Sequence, residues 1–252
     1  MIPNVFHFLF GFKPNDPFLL YHYLTIASAI KHNQPDAVHV WIHHEPRGEW
    51  WQRAVKLPLV EIHAITPPVA IFGNPLLHYA HQADIVRLQV IEKYGGIYLD
   101  IDTIVYKDMS PLRLNSQCVM GWQSNDGLCN AVIMSEPHGQ FVSRWLEEGR
   151  YFRGRGLARY WDEYAVRIGA KLILIPELKP SVSVMPHNAF FYPPWTNIDP
   201  LITSSDEIPF ADSYSSHLWE SGPVAHRKLS VITPEWIASN SSIYAKRART
   251  LL

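Results

Sequence analysis

Hydrophobic positions fall into short runs and helical stripes separated by proline, glycine and asparagine. Asn4 to Phe10 (NVFHFLF) is a compact apolar run closed by Gly11 and Pro14, the pattern of a buried first strand. From Phe18 to His32, apolar residues recur at helical spacing (Leu20, Leu24 and Ala27, with Ile26 and Ile30), between Asn15-Asp16 and Asn33-Pro35. AVHVWIHH then alternates as a second strand, so the chain opens β-α-β, the start of a nucleotide-binding type of α/β domain.

After a stretch punctuated by Pro58, Pro67, Pro68 and Pro75, HYAHQADIVRLQVIEKYGG predicts one helix from Tyr79 to Tyr94, capped by Gly95 or Gly96. IYLDIDTIVY (Ile97 to Tyr106) follows at once and reads as one strand. Ile97, Leu99 and Ile101 would face one side, and Tyr98, Asp100 and Asp102 the other. Ala131 to Met134 predicts a short strand, and Gln140 to Gly149 a helix running on into YFRGRGLARYWDEY. From Pro176 onward the chain is rich in Pro, Ser and aromatics without clear periodicity, which predicts loops and short strands covering a site. A length of 252 residues suits a single domain, with a nucleotide-binding half over about 1–110 and an acceptor and lid part over about 111–252.

Charge narrows the partners. With Lys+Arg 22 against Asp+Glu 23, no polybasic field marks nucleic acid as a partner, so specificity must come from a local site. Arg150, Arg153, Arg155 and Arg159 in YFRGRGLAR form one local basic cluster, read either as a seat for an anionic acceptor or as a solvated helix face. Cys118 and Cys129 are too few for a disulfide framework and lack metal-ligand spacing, which predicts reduced thiols. No apolar run is long enough for a transmembrane segment, and MIPNVFHFLFGFK lacks the features of a signal peptide. The expectation is a cytoplasmic protein, soluble or peripheral to a membrane, although a luminal enzyme shorn of its anchor would read the same. Nine Trp and an aromatic content of 13% offer flat rings for stacking on bases and sugars, with most of them in the core.

The chemistry concentrates in the two carboxylates of IYLDIDTIVY. An unpaired carboxylate in an apolar run costs several kcal/mol (roughly) unless a metal, a cationic neighbour or water compensates it. Along a strand the two Cα atoms lie roughly 6.6 Å apart, so both side chains reach one hard cation only by converging, as at a strand end. The preceding helix carries Asp84 and Arg87 at i and i+3, close to the Gly95-Gly96 turn. Alone, such a pair is a common surface ion pair of little consequence. Beside Tyr98, Asp100 and Asp102 it adds hydroxyl acceptors and a donor fork to a candidate metal seat.

The run ADIVRLQVIEKYGGIYLDIDTI resembles the DxD glycosyltransferases of the sugar-binding-region family, which includes α-1,4-galactosyltransferases, yeast-type α-1,6-mannosyltransferases and bacterial capsule enzymes of polysaccharide biosynthesis. It is similar also to the catalytic domain of the large glucosylating toxins. The matching positions are Asp84, Arg87, Gly95, Gly96, Tyr98, Asp100 and Asp102. The resemblance implies a GT-A type fold, a Rossmann-like mixed sheet flanked by helices. It implies transfer of a hexose from a nucleotide sugar, most often UDP-linked, to a hydroxyl of a glycan, glycolipid or protein, mostly with retention, with Mn²⁺ or Mg²⁺ as cofactor. Carried over by position, Asp84, Arg87, Tyr98 and Asn130 would hold the donor sugar, with Asp126 as a neighbour. Leu9, Phe10, Asp100 and Trp219 would contact the nucleotide, Phe10 by stacking on the base, although a core Phe at a strand end is an equal reading. Asp102 and His217 would ligate the metal, with Asp100 bridging substrate and metal shell, and Glu220 and Ser221 of SSHLWES would close over it. Asp100 and Asp102 form the catalytic pair, and no enzymic nucleophile is implied.

Two rivals share these residues. DIDTI also fits the loop of haloacid-dehalogenase-type phosphatases, with Asp100 as nucleophile and Asp102 as general acid. That loop normally follows the first strand of its domain, and the later acidic pair that completes its Mg²⁺ site is absent from this sequence. In a non-catalytic carbohydrate-binding protein the aspartates would merely cap a strand end while Trp residues stack on sugars.

Overall fold

The computed structural model describes residues 1–125, 127–154 and 160–252; Asp126, Arg155 and Arg159 lie outside the described residues. The chain begins β1 (Val5–Phe10), α1 (Leu20–Asn33), β2 (Ala37–Ile42), α2 (Glu49–Ala54) and β3 (Val60–Ala64), followed by a small hairpin of β4 (Ala70–Ile71) and β5 (Asn74–Pro75). Next come α3 (Tyr79–Tyr94), β6 (Gly96–Leu99), β7 (Thr103–Val105), α4 (Ser110–Arg113), β8 (Cys118–Ser124), β9 (Gly127–Ser135) and α5 (Gln140–Glu147). Two three-residue strands, β10 (Ser183–Met185) and β11 (Ser215–His217), are set among short helices in the remainder.

Seven strands form one mixed sheet in the order β10-β8-β9-β6-β1-β2-β3. β6, β1, β2 and β3 run parallel, whereas β9 is antiparallel to both β6 and β8. The alternation of β1 and β2 explains the layers. Phe6, Phe8, Phe10, Val38, Val40 and Ile42 share a buried face with Ile97 and Leu99 and pack against α1 and α2. On the other face, Leu9, Tyr98 and Ile133 meet Ile85, Leu88 and Ile91 of α3 and Trp145 of α5. β2 connects outward from β1 and β6 lies on its other side, so the strand order reverses at β1/β6. Ligands of open α/β sheets bind at such a switch point, beyond the carboxyl ends of the strands.

α3 has the bounds its periodicity predicts, and Gly95 ends it with φ +65°. Gly96 starts β6 at φ +97°, where a Cβ would sit 2.5 Å from the Val5 carbonyl oxygen. Gly96→Ala is therefore expected to cost about 3 kcal/mol, lowering Tm by roughly 6–12 °C in thermal unfolding. An unchanged Tm would mean that the turn adjusts freely.

Three expectations are corrected. IYLDIDTIVY is two strands, because after Asp100 N–H donates to Ala131 O (2.8 Å), Thr103 N–H donates back to Asp100 O (3.0 Å) and closes a turn. β7 then leaves the main sheet and pairs with β11. The helix from Gln140 does not run into the basic segment: it tightens to one 3₁₀ turn over Glu148–Tyr151, and Phe152 is extended. The C-terminal region carries short helices, including Pro223–Leu229, Pro234–Ser239 and Ile243–Ala248, besides loops and strands. Thr233 and Ser242 cap the last two through Trp236 N–H and Ala245 N–H. Helices this short hold through tertiary packing and leave too few turns for a periodic signal.

Cys118 and Cys129 are free and buried, and burial pushes both thiols up to about 12. Among the described residues no helix is long and apolar enough to cross a membrane.

Candidate active site

A cleft of about 530 Å³ opens at the switch point. Phe10 ends β1 at its rim, and Asp100 stands just past β6. The turn after β6 converts two carboxylates spaced along a strand into a convergent pair. The β7–β11 ladder supplies the third group, since His217 pairs with Thr103, the residue after Asp102. Leu218 N–H donates to the Asp102 carbonyl (2.8 Å), fixing the approach of the C-terminal segment.

His217 Nε2 lies 3.0 Å from Asp102 Oδ1 and 3.6 Å from Asp100 Oδ2. The other oxygens are spoken for. Asp100 Oδ1 accepts from the Tyr98 hydroxyl (2.6 Å) and pairs with Arg87 Nη1 (2.8 Å). Asp102 Oδ2 accepts the Glu220 backbone N–H (2.8 Å). One oxygen of each carboxylate thus remains directed at one imidazole nitrogen, and ligand atoms of the three residues lie within 4.8 Å of one another. Two carboxylates and an imidazole are a donor set that suits Mn²⁺ or Mg²⁺, so these residues fit a divalent ion.

The electrostatics of the three groups differ. Burial raises the Asp100 carboxyl above its ordinary range, even with Arg87 and His217 opposing it. For Asp102 burial acts the same way but is outweighed by the charge and hydrogen bond of His217 and by the Glu220 N–H, so its carboxyl lies below that range. Burial would lower His217, yet Asp102 and Asp100 more than offset it and raise the imidazole. The space between the carboxylates favours positive charge.

Behind this trio is a support layer carried by α3 and β9. Arg87 lies 3.6 Å from Asp84, donates to both the carbonyl and the side-chain oxygen of Asn130 (3.2 and 3.1 Å), and stacks on the Tyr98 ring at 4.9 Å. Asn130 Nδ2 donates in turn to Asp84 Oδ1 (3.1 Å). Among the positions singled out in the sequence, Leu9, Phe10, Arg87, Tyr98, Asp100, Asp102, His217, Glu220 and Ser221 line the cleft. Asp84, Asn130 and Trp219 do not; all three are buried. Both ends of the Asn130 carboxamide are engaged by Arg87 and Asp84. Trp219, at φ +58°, packs its ring on His217 (4.2 Å) and donates Nε1–H to the Pro193 carbonyl. Phe10 is a core residue, 5% exposed against Phe18 and His22, that also lines the cleft.

Sequence reasoning missed His22. Its Nδ1 accepts from Leu19 N–H, so Nε2 carries the proton and donates to Glu220 Oε2 at 2.6 Å, anchoring the segment that clasps Asp102. Its partner is 198 residues away, and no local signal marks the pair. Lys13, Asp16, His78, Tyr79 and Trp161 also line the cleft without having stood out in the sequence. In the basic segment, Arg153 is paired with Glu163 (2.5 Å) and the Arg150 guanidinium lies over Phe72 (4.3 Å).

Fold and site together define a GT-A type glycosyltransferase. In solved structures the same architecture occurs in PaToxG Glycosyltransferase, with a TM-score of 0.52 at 14% identity, covering 99% of this chain and 87% of that one. Residues 21–119 match the family described as glycosyltransferase sugar-binding region containing DXD motif. Glucan organizing enzyme 1 of Cryptococcus neoformans var. grubii serotype A is 31% identical over 271 residues, spanning all of this chain and 71% of that protein. Lactosylceramide 4-alpha-galactosyltransferase of Gorilla gorilla gorilla is 27% identical over 147 residues, 54% of this chain and 44% of its own length. The chain belongs to the DXD glycosyltransferase family and is a glycosyltransferase. The phosphatase and non-catalytic readings end here, and the position of the aspartates beyond β6 rather than β1 agrees with that outcome.

Proposed function

We propose that the protein transfers a hexose from a nucleoside diphosphate sugar, UDP-linked, to a hydroxyl of a glycan, glycolipid or protein acceptor with retention of configuration. The observation that carries this reading is the convergence of Asp100, Asp102 and His217 in a cleft at the carboxyl ends of β1 and β6. These three residues would hold Mn²⁺ or Mg²⁺, which when bound supplies Lewis-acid stabilisation of the departing diphosphate. Asp102 is the ligand fixed in place, through Glu220 N–H, while Asp100 is shared between Arg87, Tyr98 and the cleft. Phe10 and Leu9 offer an apolar floor for the base. Arg87 and Tyr98 face the sugar, with Asp84 and Asn130 holding the guanidinium in its orientation.

No side chain of the described cleft is assigned as a nucleophile. In front-face transfer the bond from the anomeric carbon to the phosphate oxygen breaks, and the acceptor oxygen bonds to that carbon on the same face. The acceptor proton passes to the leaving phosphate oxygen. Burial of Asp102 and His217 helps this step by limiting water beside the diphosphate.

The test is to incubate the protein with a panel of UDP- and GDP-sugars, with and without Mn²⁺ or Mg²⁺, and to measure nucleoside diphosphate release. Release from a UDP-hexose that stops on chelation is expected. Release from none of the donors with either metal would remove the proposal, and an inverted anomer in the product would remove its stereochemistry.

A further inference from the structure

Away from the cleft, the face of β2 and β3 on the α3 side carries a second group of ligating atoms. His39 stands on β2 opposite Glu61 of β3, and His63 follows two residues on, so all three side chains share one face of the sheet edge. His39 Nδ1 lies 2.7 Å from His63 Nε2 and 3.5 Å from Glu61 Oε2, and His63 Nε2 lies 3.6 Å from the same Glu61 oxygen. The three distances close one triangle of single atoms. A point about 1.9 Å from all three lies in its plane, and an ion displaced about 0.7 Å from that plane would stand about 2.05 Å from each, within the zinc–nitrogen and zinc–oxygen range. A displacement of about one third of the bond length is what a tetrahedral ion has above three of its ligands, which leaves the fourth position for water.

We propose that His39, Glu61 and His63 form a second metal site, for Zn²⁺ or a like transition dication, that braces edge strand β3 against β2. Two imidazoles and one carboxylate favour zinc over the Mn²⁺ and Mg²⁺ suited to the carboxylate-rich cleft. The rings are already oriented by their neighbours. Trp41 stacks on His63 (4.6 Å, 28°), and His7 stacks on His39 (5.3 Å, 19°). The site is reachable from solvent, because the Glu61 side chain is 59% exposed and that of His63 32%. Among the described residues β3 is bonded to the sheet along one side only, so a clamp across β2 and β3 acts at an edge of the sheet.

The experiment titrates Zn²⁺ into the metal-stripped full chain and into His63→Gln and Glu61→Gln, following bound equivalents and Tm. The wild-type chain should take up one equivalent more than His63→Gln. At Zn²⁺ a hundredfold above the dissociation constant, its Tm should rise by about 5–10 °C more than that of the variant. Glu61→Gln should bind this equivalent at least tenfold more weakly, and it carries the comparison alone should His63→Gln fail to fold. Equal stoichiometry and equal Tm shifts in all three proteins would overturn the proposal, since zinc bound only by Asp100, Asp102 and His217 is common to them.

Discussion

Asp102→Asn is expected to lower metal-dependent release of nucleoside diphosphate by about a thousandfold or more, roughly 4 kcal/mol of barrier, while the protein keeps its fold. The substitution removes one unit of negative charge and one anionic ligand from the space shared with Asp100 and His217. It also sets a local conflict. Asp102 accepts at both oxygens, from the Glu220 backbone N–H and toward His217, whereas an amide has only one acceptor oxygen. Either amide orientation therefore spoils one contact, and the segment from Leu218 to Glu220 loosens or the imidazole turns. Some stability should be lost as well, because a carboxyl held below its ordinary range by His217 and the Glu220 N–H is one whose charge the folded protein stabilises. Donor hydrolysis with saturating Mn²⁺, paired with circular dichroism and thermal unfolding, measures both effects. Near-normal turnover in a folded variant would withdraw Asp102 as a ligand and with it the proposed reaction site.

The part of this site that was legible in the sequence is the part that is local. Asp84, Arg87 and Tyr98 lie on one helix-turn-strand unit with Asp100 and Asp102 just past its strand, so helical spacing, glycine chemistry and strand alternation suffice to place them in one neighbourhood. The same rules failed at Asp100, where strand propensity continues through Ile104 and Val105 but the chain turns to join β11. That turn is set by a partner strand more than a hundred residues away, which alternation cannot register. Asn130 and Trp219 illustrate a second limit. Each stands near the cleft, but the side to which its side chain is committed depends on Arg87, Asp84 and Pro193, all distant in sequence. The link between His22 and Glu220 belongs to this class too, as does the zinc-sized triangle across β2 and β3, where β2 was readable as a strand but neither β3 nor the register between them was.

Arg87→Ala carries the other large expected effect, and it separates support from substrate contact. Arg87 is 8% exposed, and its guanidinium neutralises Asp84 and Asp100 while bonding Asn130. Burial alone would ease its deprotonation, yet Asp100, Tyr98 and Asp84 more than offset it, so the charge is firmly held. Removing it leaves two carboxylates and a carboxamide oxygen facing a cavity, at a cost of about 3–5 kcal/mol and a Tm lower by roughly 10 °C. Arg87→Lys retains a charge but not the fork that serves Asp100 and Asn130 together, so it should recover part of the stability and little of the activity. Binding then discriminates the roles. If Arg87 reaches the donor sugar across the cleft, Arg87→Lys should weaken binding of the sugar nucleotide at least tenfold more than that of the free nucleoside diphosphate in the presence of metal. Equal loss for both would make Arg87 a positioning residue acting through Asp100, and Asp84→Asn, which disturbs the guanidinium from behind, should then reproduce the same pattern.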